Sequence, residues 1–355
     1  MLSVTHSACI PGWPQLPATR CAWIQPEQQL FQRLQTPAQP PRALRNFHSR
    51  YRNKSSSFGS CFYAIVNIVS EFWYTSALFA LGTIIGSFLN VVILRQGIEE
   101  KSRQLPGTLR GRSRCPSCGN TLSPVELIPL VSYLLQRGRC RTCSIRISPQ
   151  YPLVELTCGL LAVALLAPLL VGGGGESIWP GLMYPHTSLL RGEKVALALL
   201  DFIAACVLII LFVVDLKTFI LPDKFLWPLA AVTISHAAIR MINYELGVAM
   251  PLWGAALGGG FLLFLYLVTR GRGIGFGDVK LLVPLGFRFG PLGTATLLFL
   301  SFIAGGAYGS ALLAARRATM KTAIPFGPFL IGAALLLMQL PELPRQLLHV
   351  LGWPL

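Results

Sequence analysis

Gly273-Ile-Gly-Phe-Gly-Asp-Val-Lys280 lies between two long apolar runs of the chain. An aspartate at bilayer depth costs roughly 2.5–3.5 kcal/mol on insertion scales, so Asp278 calls for a reason. Three glycines, Gly273, Gly275 and Gly277, let the backbone bend and let another helix come close. Asp278 is thus expected on a pliable turn where a membrane helix begins, near water and shielded by protein. A second aspartate, Asp215, ends the apolar run from Val195 to Val214. The two carboxylates are expected to meet.

Composition supports the membrane setting. The 355 residues are 53% hydrophobic and 12% charged, against about 25% charged residues in soluble domains. The net charge of +16 does not argue for nucleic acid, because the basic residues gather in the links between apolar runs, as topogenic charge does.

Measured against the roughly 20 residues a spanning helix needs, about eight spans emerge. They cover 72–94, 151–172, 195–214, 225–242, 249–269, a short Gly/Pro-broken 279–290, 292–314 and 325–340. The fold expected is an all-α, polytopic membrane helical bundle. Residues 1–65 read as a disordered basic extension or a misassigned start: they are polar, show no sustained apolar period and contain no secretory apolar core of about 7–15 residues. The remaining divisions are a first transmembrane helix at 72–94, a four-cysteine cytoplasmic loop domain at 95–150, and a transmembrane catalytic domain at 151–345.

Charge orients the bundle. Residues 95–150 carry ten Lys and Arg against Glu99, Glu100 and Glu126, which assigns that loop to the cytoplasm. Alternation then brings 215–224, 270–280 and 315–321 to the same side, and with them both Asp215 and Asp278.

Nine cysteines are present. Cys158 and Cys206 fall in apolar runs and read as small buried hydrophobes. Cys115-Pro-Ser-Cys118 and Cys140-Arg-Thr-Cys143 stand 21 residues apart, close to the spacing of two zinc knuckles. Four thiolates close a tetrahedral site, so such a zinc would be structural. A redox disulfide, disfavoured in a reducing compartment, and a metal-free cluster are the alternatives.

Two carboxylates about 3 Å apart cannot both ionise and share one proton at neutral pH. The ionised group can then take a proton from an attacking water while the other donates to the developing oxyanion. A lone aspartate at a helix end is more commonly a solvated cap; two at one membrane face, one in a Gly-x-Gly-Asp turn, weaken that reading. Among other acids, Asp223 reads as a loop or cap residue beside Pro222, and Glu155, opening the second span, as support for the site or a contact for substrate. Asp201 lies about 21 Å from Asp215 along a helix and reads as structural, within reach of Lys194. His236 and Arg240 read as snorkelling toward the outer face.

Several motifs in the same order resemble the bacterial prepilin peptidases. They are Gly86-Ser-Phe-Leu-Asn-Val-Val92, the run from Cys115 through Leu134, Arg139-Cys-Arg-Thr-Cys143, Ile147-Ser-Pro-Gln-Tyr-Pro-Leu-Val-Glu-Leu156, Asp215 with Leu221-Pro-Asp223, and Gly275-Phe-Gly-Asp-Val-Lys-Leu281. The resemblance covers about 80–345. It implies a type IV leader peptidase of the GxGD aspartic class in the bacterial inner membrane. Such an enzyme cuts basic leaders from prepilins and pseudopilins on the cytoplasmic side, and many then methylate the new amino terminus with S-adenosylmethionine. It also implies Asp215 and Asp278 as the catalytic pair, with Gly275, Gly277 and Lys280 supporting the loop, and Cys115, Cys118, Cys140 and Cys143 as ligands of Zn2+. Membrane lipid is the other expected partner; nucleic acid is not, and the oligomeric state is left open. Transferase activity rests on the resemblance and the cysteine loop alone, since no glycine loop of the soluble nucleotide-binding kind is present. Two departures stand out: the amino-terminal extension, and Ser144 where a glycine commonly follows the last cysteine. The rival readings are a non-catalytic membrane assembly factor of a pilus or secretion system, and a leader peptidase without methyltransferase activity.

Overall fold

The computed structural model describes residues 69–96, 115, 117–171, 191–244, 247–271, 273–317, 319, 322 and 324–352. The extension expected at 1–65 lies outside these, as do 97–114 and 172–190.

The described residues are helical wherever they are regular. Among the described residues nine α-helices follow one another: α1 (Val69–Gln96), α2 (Val131–Leu135), α3 (Gln150–Val171), α4 (Arg191–Thr218), α5 (Asp223–Tyr244), α6 (Ala249–Thr269), α7 (Phe276–Ala314), α8 (Gly327–Gln339) and α9 (Leu343–Val350). Among the described residues the only extended pairing is an isolated bridge between Arg139 and Arg146. Among the described residues six helices are long and apolar enough to cross a membrane alone: α1, α3, α4, α5, α6 and α7. A seventh span arises if α8 and α9, bent by 98°, count as one.

α7 is too long for one crossing: its 39 residues would run about 58 Å, twice the hydrocarbon thickness. It is broken at Gly290, whose φ of 68° and ψ of −176° are not helical. The break is a reversal. A Cβ on Gly258 of α6 would lie 2.8 Å from Leu282 Cγ and 2.8 Å from Thr294 Cγ2. Twelve residues of straight helix would separate those two by about 18 Å, so the chain must fold back between them. The two arms, 276–289 and 291–314, correspond to the sixth and seventh apolar runs read from the sequence, where about eight spans are expected; by length and composition the described residues hold six, or up to seven, candidate spans.

Apolar side chains give little drive for helix association in lipid, so small residues decide where backbones touch. Gly254 and Gly258 on α6 form such a surface: a Cβ on Gly254 would overlap the Gly286 carbonyl. α7 is clamped there, and α5 and α8 pack on it in turn. α4 packs on α3, α5 and α8, with Leu197, Leu208 and Leu211 fully buried. The outward faces keep Trp227, Phe264 and Leu267 exposed, as lipid-facing positions should.

Candidate active site

Three helix ends converge on one face of the bundle. α4 delivers Asp215 one turn before it stops, α7 begins with Asp278 in its first turn, and α8 begins at Gly327. Asp278 folds back on its own helix start, where Gly275 N–H donates to Oδ2 at 3.3 Å. A carboxylate is favoured there by the unsatisfied N–H groups and positive end of α7. Gly277 is required by close approach, because a Cβ would lie 3.1 Å from Leu221 Cβ.

The remaining Asp278 oxygen faces Asp215. A Cβ on Gly327 would overlap Asp215 Oδ2 and lie 3.2 Å from Asp278 Oδ1, so both carboxylates border one small space over the α8 backbone. Asp215 and Asp278 are only 4% and 6% exposed, and Asp215 Oδ2 is buried without a hydrogen-bond partner among the described residues. A buried acceptor in that state calls for a donor. The pair opens into a cavity of about 590 Å³ whose lining includes Leu221, Asp223, Phe276, Lys280 and Phe326. Phe219, Ile220 and Phe276, each about half exposed, give its mouth an apolar rim.

The other expected residues fall as follows. Asp223 opens α5 and accepts from Lys280 Nζ at 2.8 and 3.0 Å, an exposed pair on the cavity wall. Glu155 does not line the cavity; it is 8% exposed and accepts the Leu130 N–H at 2.8 Å. Asp201 does not turn to Lys194. It receives Arg288 Nε at 2.8 Å and Nη2 at 2.9 Å, and His236 Nε2 lies 3.5 Å from it. His236 is 1% exposed, so it does not snorkel; the rotation of α5 turns it inward to the Asp201 carboxylate. Gly327 was not singled out by sequence reasoning. Its only signal is its place in Pro325-Phe326-Gly327-Pro328 at the head of an apolar run.

The four cysteines form a separate centre. Their sulfur atoms all lie within 4.8 Å of one another, with Cys115 Sγ 3.8 Å from Cys143 Sγ. A tetrahedron with zinc–sulfur bonds of about 2.3 Å has edges of about 3.8 Å, so the donor set fits a tetrahedral dication. The two halves repeat one turn. Gly119 N–H donates to Cys115 O at 3.0 Å and Ser144 N–H to Cys140 O at 2.9 Å, and both turn residues are left-handed, at φ 69° and 56°. Ser144 therefore keeps the knuckle geometry despite departing from glycine. Asn120 Nδ2 donates to Thr142 Oγ1 across the halves at 2.9 Å. The backbone N–H groups of Cys118 and Ser117 hold the Cys115 thiol down at about 6, and those of Cys143 and Thr142 lower Cys140. Cys143 is pushed up to about 11: the Ile145 N–H opposes the shift, but burial and the neighbouring thiols outweigh it. A bound dication relieves that crowding of negative charge.

A helical membrane bundle that presents two buried aspartates bordering one space, with a separate four-thiol module, defines a class of intramembrane carboxylate-pair protein. The Bacterial Peptidase A24 N-terminal domain matches residues 80–169, and the Type IV leader peptidase family matches 202–310. The chain is 34% identical over 271 residues to the "Prepilin leader peptidase/N-methyltransferase" of Stutzerimonas stutzeri, covering 70% of this chain and 85% of that protein. Proteins of the same name from Aeromonas hydrophila and Bacillus subtilis (strain 168) are 32% and 31% identical, over 72% and 74% of this chain and 87% and 92% of theirs. No solved structure matches. The chain belongs to the type IV leader peptidase family, and the activity that goes with that membership is peptidase together with methyltransferase.

Proposed function

We propose that the chain is an inner-membrane aspartic endopeptidase whose Asp215 and Asp278 cut the basic leader from type IV prepilins and pseudopilins on the cytoplasmic side. The observation that carries this reading is the placement of both carboxylates against the one space over Gly327, at the head of an open cavity. The pair holds one proton, which belongs to neither residue alone. The ionised member takes a proton from water as its oxygen attacks the scissile carbonyl, and the neutral member donates to the carbonyl oxygen. Collapse of the tetrahedral species breaks the C–N bond while a carboxyl proton passes to the leaving nitrogen. The products are a leader ending in a carboxylate and a protein with a new amino terminus. Gly275 N–H orients one oxygen of Asp278, and Gly327 leaves room for both side chains.

The apolar rim of Phe219, Ile220 and Phe276 suits a substrate whose leader is followed by an apolar helix lying in the bilayer. The basic loops around 137–146, 217–224 and 270–280 support the cytoplasmic orientation. The new amino terminus is then the acceptor in methylation, with S-adenosylmethionine as the methyl-donating co-substrate. Cys115, Cys118, Cys140 and Cys143 would hold a structural Zn2+, which supplies a rigid cross-link between the two knuckles. Its four thiolates leave no position for substrate. Co-expression of a prepilin with the Asp278→Asn variant tests the proteolytic role: unprocessed precursor accumulates while the variant remains folded in the membrane. Normal processing by the variant returns the chain to the rival reading of a non-catalytic assembly factor.

A further inference from the structure

Glu155 and the short helix α2 together say something about the membrane that the reaction does not need. An acid inside an apolar helix is costly and requires a partner, and the partners here are the Leu130 N–H at 2.8 Å and the Ser87 side chain on α1. The depth of this bond follows from α1. A Cβ on Gly86 would lie 2.7 Å from Glu155 Cα, so the two residues stand at one level. Gly86 is eight residues before Leu94, the last apolar residue ahead of Arg95, which puts it about 12 Å of helix rise inside the end of that span. Leu130 is tied to this level by one carboxylate length. The helix that starts immediately after it is held at the height of lipid, not in bulk water.

The side chains of that segment agree. Leu134 and Leu135 are 74% and 66% exposed, and Leu127, Ile128 and Val131 are each above 40%. So many uncovered aliphatic groups in so short a stretch form a patch that demands a cover. Arg137, Arg139, Arg141 and Arg146 follow directly and are all exposed, with Glu126 as their acidic neighbour, 4.0 Å from Arg141. An exposed apolar segment followed in sequence by exposed basic residues matches the chemistry of the acyl and phosphate layers of an anionic leaflet.

We propose that residues 127–135 form an interfacial wedge. Its leucines sit among the acyl chains of the leaflet beside the four-thiol module, Glu155 sets its depth, and the arginines that follow meet lipid phosphates. The occupant of this apolar face is phospholipid, and the wedge fixes the height at which the knuckles ride over the bundle. The assignment is independent of which residues cleave substrate.

The test uses the full chain in vesicles of phosphatidylethanolamine and phosphatidylglycerol, with photoreactive benzoylphenylalanine in place of Leu134 or, as a control, in place of Ser117 on the exposed first knuckle. Unchanged metal content verifies that each variant keeps the module intact. After irradiation, peptide mass spectrometry should find phospholipid adducts at position 134 and none at 117. An adduct-free position 134, or equal lipid labelling at both positions, overturns the wedge. A co-reconstituted prepilin is the remaining arm: if it replaces lipid as the species captured at 134, the face is a substrate-docking surface and the proposal fails.

Discussion

Adding a single methyl group at Gly327 should cripple hydrolysis while leaving the fold in place. The Cβ of Gly327→Ala would overlap Asp215 Oδ2 and press on Asp278 Oδ1 at 3.2 Å. Restoring ordinary contact requires a carboxylate to retreat by about 1 Å, at a strain of about 1–3 kcal/mol for an overpacked site. A misplacement of about 1 Å in a catalytic group costs on the order of 10²-fold in rate, equivalent to about 2.7 kcal/mol of barrier. The loss should fall on kcat, with KM little changed, because Gly327 lies beneath the carboxylates. Gly332→Ala, on the same helix with nothing within 4 Å of its Cβ, is the matched control. Both variants are purified in detergent and assayed by gel shift on a prepilin substrate, with thermal unfolding measured alongside. A Gly327→Ala enzyme that cleaves at the rate of the control would refute the close juxtaposition of the two aspartates.

Three further outcomes follow from the same geometry. Ser144→Gly relieves a left-handed non-glycine residue and should stabilise the four-thiol module by about 1 kcal/mol, whereas Gly119→Ala, with open space around it, should weaken it by a similar amount; chelator titration of the metal-loaded protein reads both. Cys115→Ser with Cys118→Ser should reduce zinc by elemental analysis to background, and unchanged stoichiometry contradicts the four-thiolate site. Arg288→Leu removes the guanidinium paired with the buried Asp201 carboxylate, leaving His236 beside it, and should destabilise by about 3–5 kcal/mol, while Asp201→Leu with Arg288→Leu recovers most of the loss; thermal denaturation in detergent compares the two.

The parts of this molecule legible in the sequence are those whose physical cost is local. An aspartate inside Gly-x-Gly-Asp is anomalous wherever the helix points, and two Cys-x-x-Cys pairs carry their geometry in four residues each. The break at Gly290 was legible too, since Gly290-Pro291 interrupts an apolar stretch too long for one crossing. What escaped depends on rotational phase between helices far apart in sequence. Asp201 and Arg288 are 87 residues apart, and nothing near Asp201 marks that partner, so Lys194 on the same helix stood in for it. The inward turn of His236 is illegible for the same reason: one polar residue in an apolar helix does not reveal which way it faces. Gly327 escaped because its importance lies in the atoms that crowd it, Asp215 and Asp278, which come from two other helices. The Glu155 bond to Leu130 belongs with these, because a backbone partner leaves no residue type to read.

The central claim is that Asp215 and Asp278 work as one unit, and the most direct measurement is kcat on a single purified prepilin for Asp215→Asn, Asp278→Asn and the double variant. Residues that share one proton fail together, so each single change should lower kcat as far as the double change does. Single losses that multiply in the double variant, or either single variant retaining wild-type turnover, would contradict the account.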